Sequence, residues 1–155
     1  MTGTAPWAAD WVWGVPILVL TVLIHSFGLL AIRNALRVIL MWLDDRRHFF
    51  LLFGSVISSA ALALAALHAF EAGLWAIAYL LLGAMTDPGS ATLFSLEAMT
   101  TYGHSDLMLA LHWRMMGAIE ALNGVILFGL TTAFLFAILQ AALKLSGSAI
   151  REGGR

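Results

Sequence analysis

Asp87-Pro88-Gly89-Ser90-Ala91-Thr92-Leu93-Phe94-Ser95-Leu96-Glu97-Ala98-Met99-Thr100-Thr101-Tyr102-Gly103-His104-Ser105-Asp106 is too polar to span a bilayer and too apolar for an ordinary loop. Its first four residues read as a turn with a helix start built in. Pro88 fixes φ, and Asp87 or Ser90 supplies an oxygen for the free N–H groups of the first turn. Ala91 to Met99 then predicts a short apolar helix, about half of the roughly 20 residues needed to cross hydrocarbon. Thr100 to Asp106 follows as a polar, non-helical loop. Such backbone is tolerated at membrane depth only where protein buries it or where it lines a water-filled path.

The flanks supply the membrane. Three apolar segments run from about Val15 to Ile32, from Phe49 to about Ala78 and from Met115 to Leu143, each long enough to cross. Of the 155 residues, 61% are apolar and 11% charged, against roughly 45–50% and about 25% in soluble domains. A soluble core of this size has no room for that much apolar surface, so lipid must solvate the rest. Residues 1–14 hold no Lys or Arg, unlike the basic start of a signal peptide, so the first segment is expected to be retained. Trp7, Trp11 and Trp13 fit an interfacial aromatic belt. With no cysteine there is no disulfide framework, thiolate metal site or thiol nucleophile.

Arg33, Arg37, Arg46 and Arg47 lie between the first two segments, and Lys144, Arg151 and Arg155 follow the third. Only Arg114 lies elsewhere. The positive-inside rule then predicts a cytoplasmic 33–48 connection, a periplasmic amino terminus and a cytoplasmic carboxy terminus. Within residues 33–48, Arg33 and Arg37 share one helical face and Leu36, Leu40 and Leu43 another. That pattern fits a short amphipathic helix on the inner headgroups or an extension of the first span. Asp44, Asp45, Arg46 and Arg47 fit a solvated turn.

A half-membrane helix and loop between two spans is the general plan of an ion pore. Residues Leu93 to Asp106, with Thr100-Thr101-Tyr102-Gly103-His104-Ser105-Asp106 at their end, resemble the pore helix and selectivity filter of bacterial potassium channels. The family pattern is Thr-Thr-Val-Gly-Tyr-Gly-Asp, and the register holds without a gap. Downstream, Trp113-Arg114 and Gly124-x-x-x-x-Gly129-Leu130-x-Thr132-Ala133 resemble the family's inner helix. The resemblance covers about residues 49–143, as a pore domain. Residues 1–48 add a span and its cytoplasmic segment, and 144–155 a short cytoplasmic tail.

The resemblance implies an all-α membrane protein: three transmembrane helices, a re-entrant pore helix and a filter loop, assembled as a homotetramer in a bacterial inner membrane. Potassium would be held by backbone oxygens of Thr101, Tyr102, Gly103, His104 and Ser105, supported by Glu97, Thr100 and Asp106, with Glu97 paired to Asp106. Gly124 would be the inner-helix hinge, and Val125, Phe128, Thr132 and Phe136 would face the cavity. No enzymatic activity, organic cofactor or nucleic-acid partner is implied; the partners are lipid, monovalent cations and further copies of the chain. Tyr102, His104 and Ser105 depart from the family pattern. They motivate the alternative of a non-conducting or weakly selective subunit on the same scaffold, acting as an accessory or sensor. His104 either substitutes for the packed filter tyrosine, titrates near about pH 6.5, or takes a transition metal.

Ionisable groups inside apolar spans are costly and default to functional hypotheses. His68 and Glu71, at i,i+3, share a face of the second span. Together with Glu120 they are the candidate polar network, either a gating or proton-linked device or a structural cluster. His25 alone in the first span is expected to be a packing residue, and Asn123 to face the cavity or a neighbouring subunit. No span carries a regular arginine ladder of the kind a voltage sensor uses.

Overall fold

A computed structural model describes residues 7–42, 49–103 and 106–153. Four α-helices follow one another: α1 (Ala8–Trp42), α2 (Phe49–Leu81), α3 (Pro88–Met99) and α4 (Arg114–Gly153), the last entered through a single 3₁₀ turn, Leu111–Trp113. Three stretches are long and apolar enough to cross a membrane: Ala8–Val38, Gly54–Leu81 and Leu111–Ala141. α1 continues unbroken through residues 33–42. The extension of the first span is therefore what forms, and not a separate amphipathic helix. Residues 43–48, with Leu43 and the Asp44–Arg47 turn, lie outside the described residues.

α1 and α4 run parallel, as the first and third crossings must. Asp10 Oδ1 accepts the Met116 N–H at 3.0 Å, Asn123 Nδ2 donates to Thr21 Oγ1 at 2.8 Å, and His25 Nε2 lies 3.1 Å from Thr131 Oγ1. Partner numbers rise together along both helices. Asp10 is fully buried, and its carboxylate meets one of the unpaired N–H groups that begin α4. Asn123 thus faces α1, and not a cavity or a neighbouring copy. At the other end of the spans, Leu36 packs with Val56 and Ala60 under Ile32, Leu135 and Ile138.

α2 ends in a Schellman turn. The Ala84 N–H donates to the Tyr79 carbonyl at 2.8 Å and the Gly83 N–H to that of Leu80 at 3.2 Å, with Gly83 left-handed at φ 66°. α3 begins almost at once. Asp87 is extended and accepts the Ser90 N–H at 2.7 Å, with Pro88 in the first helical turn. The returning segment is pinned beside this start by Ala110 N–H on the Ala84 carbonyl at 3.0 Å.

The 12 residues of α3 give a helix about 18 Å long. Ala91, Phe94, Ser95, Ala98 and Met99 are its buried face, packed on Ala72, Trp75 and Tyr79 of α2 and Met116, Ile119 and Leu127 of α4. Its far end stops against Gly124. A Cβ there would stand 2.0 Å from the Met99 carbonyl oxygen. Gly124 lies about 20 Å along the span that starts at Leu111, near its midpoint. Thus α3 ends beside the middle of the third apolar helix.

Two outcomes test this packing. Gly124→Ala pushes a methyl group into backbone and is expected to cost about 1–3 kcal/mol, whereas Gly129→Ala, with open space around it, is tolerated. Thermal midpoints in detergent compare the two. The Ser90 N–H holds the Asp87 carboxyl below its ordinary value. A depressed folded-state value means that the cap stabilises above the unfolded carboxyl range and is lost as pH falls through the folded one. Asp87→Ala is expected to lower the midpoint at neutral pH and to converge on wild type in acid. Asp87→Asn keeps most of the cap.

Candidate functional site

The end of α3 repeats the Schellman turn that closes α2, with a different residue in the demanding position. The Thr101 N–H donates to the Ala98 carbonyl at 3.1 Å and the Tyr102 N–H to that of Glu97 at 3.0 Å, while the Thr100 hydroxyl donates to Leu96 at 2.7 Å. The left-handed seat is filled by Thr101, φ 55°. Glycine fits that seat freely; a β-branched residue pays about 1–2 kcal/mol to occupy it. Gly103 follows at φ 94°. Two left-handed residues therefore flank Tyr102, which is 83% exposed.

Of the remaining residues expected around this loop, Glu97 is half-buried and lines a cavity of about 400 Å³ with Thr101, Gly103 and Arg114. Asp106 is exposed and borders a second hollow beside Asp87 and Ser90. His104 and Ser105 lie outside the described residues. On α4, Gly124 is buried at the contact with Met99, within a continuous helix. Val125, Phe128, Thr132 and Phe136 are all exposed on the chain's own surface.

The expected network of His68, Glu71 and Glu120 divides into two clusters. Glu120 is fully buried among α2, α3 and α4. The Tyr79 hydroxyl donates to its Oε2 at 2.5 Å, and Ser95 Oγ bonds its Oε1 while lying 2.7 Å from the Ala72 carbonyl. Ser95 has one proton for two acceptors. All three contacts are made together when the Glu120 carboxyl itself donates to Ser95, freeing the Ser95 hydroxyl for Ala72. This cluster ties α3 to both long helices. Its edge-to-face neighbour, Phe94 on Tyr79 at 5.5 Å between ring centres, seals it.

The second cluster joins α1, α2 and α4. His25 Nδ1 meets Glu71 Oε1 at 3.0 Å and Oε2 at 3.3 Å; His68 Nδ1 stands 3.5 Å from Glu71 Oε2. Both Nε2 atoms converge on one hydroxyl, Thr131 Oγ1, at 3.1 Å from His25 and 3.0 Å from His68. The imidazole centres are 5.0 Å apart, and Phe128 stacks on His68 at 4.4 Å. His25 is thus a full member and not a packing residue. The signal that finds it is the same one that marked His68: a titratable ring in the middle of an apolar span.

Glu120→Gln keeps the geometry of a protonated carboxyl, with an amide N–H toward Ser95 and a carbonyl toward Tyr79. It is expected to lie within about 1 kcal/mol of wild type, whereas Glu120→Ala strands the Tyr79 hydroxyl, leaves Ser95 without a donor to its oxygen and costs about 2–4 kcal/mol. Unfolding in mixed micelles measures both, and an equal loss in the two variants would mean that the carboxylate charge, not the bond pattern, is what the site uses.

No protein-family model, curated protein or solved structure matches the chain. Sequence and structure together identify it as an all-α, multi-pass membrane protein, with three helices of spanning length and a short helix between the second and third.

Proposed function

We propose that the chain is one subunit of a homotetrameric cation channel, with potassium as the first candidate ion, in a bacterial inner membrane. Thr101 is the observation that carries this reading. It is a β-branched residue held left-handed at the end of a helix that stops beside the middle of the third apolar helix, on the exposed surface of the chain. Lipid offers no hydrogen bonds to the irregular backbone around it, so water or another copy of the chain must cover it. A pore on a symmetry axis supplies both. Residues held against their backbone preference cluster at working sites.

Supporting features follow from the same geometry. The carboxyl end of α3 directs partial negative charge toward the membrane centre, where a cation would wait. Oxygens of Thr101, Tyr102 and Gly103, with those of His104 and Ser105, are the proposed ion ligands, braced by Thr100, Glu97 and Asp106. Val125, Phe128, Thr132 and Phe136, exposed on the single chain, are the proposed cavity wall. Gly124 serves here as the seat of α3 as well as a hinge. The distribution of basic residues orients the amino terminus outside and the carboxy terminus in the cytoplasm.

Flux into liposomes tests the proposal. The reconstituted chain is expected to take up rubidium against a potassium gradient, with block by barium, and reversal potentials rank the ions. A folded, reconstituted chain silent across about pH 5–8 overturns it in favour of a non-conducting scaffold subunit. Thr101→Gly separates pore from fold: removing the strain is expected to stabilise the protein by about 1 kcal/mol while reducing flux several-fold. Unchanged flux in that variant would remove Thr101 from the ion path.

A further inference from the structure

The ring formed by His25, Glu71, His68 and Thr131 has four polar contacts to fill. Each contact needs one proton. An ionised Glu71 brings none, two neutral imidazoles bring one each, and the Thr131 hydroxyl brings one. In that state one edge sets lone pair against lone pair. The structure locates it: His68 Nδ1 is buried, faces Glu71 Oε2 at 3.5 Å, and has no hydrogen-bond partner. A carboxylate facing an unprotonated ring nitrogen in a membrane interior is an arrangement that a cation resolves.

We propose that His25 Nδ1, His68 Nδ1 and the Glu71 carboxylate form a binding site for a divalent transition-metal ion of the zinc class. One ligand atom from each residue lies within 4.8 Å of the other two. A tetrahedral ion with bonds of about 2.0–2.2 Å to nitrogen and oxygen sets its ligands about 3.3–3.5 Å apart. The nitrogen-to-carboxylate separations here are 3.0, 3.3 and 3.5 Å. The donor set, two imidazoles and a carboxylate, suits zinc, and does not suit magnesium or calcium, which take oxygen ligands.

The outer shell fits as well. With both Nδ1 atoms on the ion, both Nε2 atoms must carry hydrogen. Each then donates to Thr131 Oγ1, which has two lone pairs to receive them, at 3.1 and 3.0 Å. A ligating histidine held by its second nitrogen is the usual way such rings are fixed in tautomer and orientation. The ligands come from the middle of α1 and α2 and the orienting hydroxyl from α4, so an ion would lock the three spans together. None of this depends on the chain's conducting ions.

The full chain, stripped with chelator and held in detergent micelles or nanodiscs, is titrated with zinc chloride by calorimetry and then with cobalt as a spectroscopic stand-in. The expected result is one zinc per chain and an intense tetrahedral cobalt band in the visible. Glu71→Gln and His68→Gln are expected to abolish both, and Thr131→Val to weaken zinc by about 10–100-fold, as outer-shell changes do. A triple change of His48, His104 and His112 to Ala is expected to leave the stoichiometry and the cobalt band intact. Should the ring variants fail to fold, X-ray absorption on the zinc-loaded wild type decides, with two imidazoles and one carboxylate in the shell. No zinc uptake by folded chain, uptake that survives Glu71→Gln, or a shell of other composition overturns the proposal; the first of these would leave a proton as the occupant of the open edge.

Discussion

Hydrocarbon offers no hydrogen bonds, and the architecture of this chain follows from what that demands of a short helix that ends beside the middle of a long apolar one. A full span keeps its unpaired ends in the headgroups, but α3 brings its last carbonyls up against Gly124, near the middle of the apolar stretch of α4. They are met locally. Thr101 and Tyr102 fold back onto Ala98 and Glu97, and Thr100 bonds Leu96. The compact turn that results can approach α4 only where α4 has no side chain, at Gly124. Depth, turn and glycine are thus one solution, and a change in any one of them moves the other two.

Two Schellman turns among the described residues make the cost at the second one visible. At the end of α2, in the loop region, the left-handed seat is given to Gly83. At the end of α3 the same hydrogen-bond pattern is built around Thr101. Thr101 is not there to make the turn easier, since glycine would do that better. Its hydroxyl or its shape is retained at a cost of about 1–2 kcal/mol, and the surface on which it is retained is an open one.

Much of this was legible in the sequence, because much of it is local. The three long apolar runs, the half-length helix and its Asp87-Pro88 start depend on composition and on neighbours within four residues. The extent of α1 was not fixed by the same signals, since Arg33 and Arg37 fit equally a surface helix or a longer span. The site was read less well. His68 and Glu71 could be paired from their spacing, but nothing local says that their partners are His25, 46 residues before Glu71, and Thr131, 63 after His68. Glu120 was grouped with them by chemical kind, yet its partners Tyr79 and Ser95 are set by where α3 packs. Partners on different helices have no spacing signature, and Asp10 on Met116 and Thr21 on Asn123 escaped for the same reason.

The two buried clusters divide the labour of holding the helices. Ser95 and Tyr79 bring α3 and α2 to Glu120 of α4, beside the start of that helix, and so position the turn at Thr101. The histidine ring joins α1, α2 and α4 further along, about 10 Å beyond Gly124 at the level of Thr131. The first cluster is complete when its carboxyl carries a proton; in the second, His68 Nδ1 is buried without a hydrogen-bond partner. Phe128 links that second cluster to the open face of α4, since its ring stacks on His68 while its outer side remains exposed. Phe128 is therefore an aromatic ring that the histidine cluster shares with the exposed side of α4.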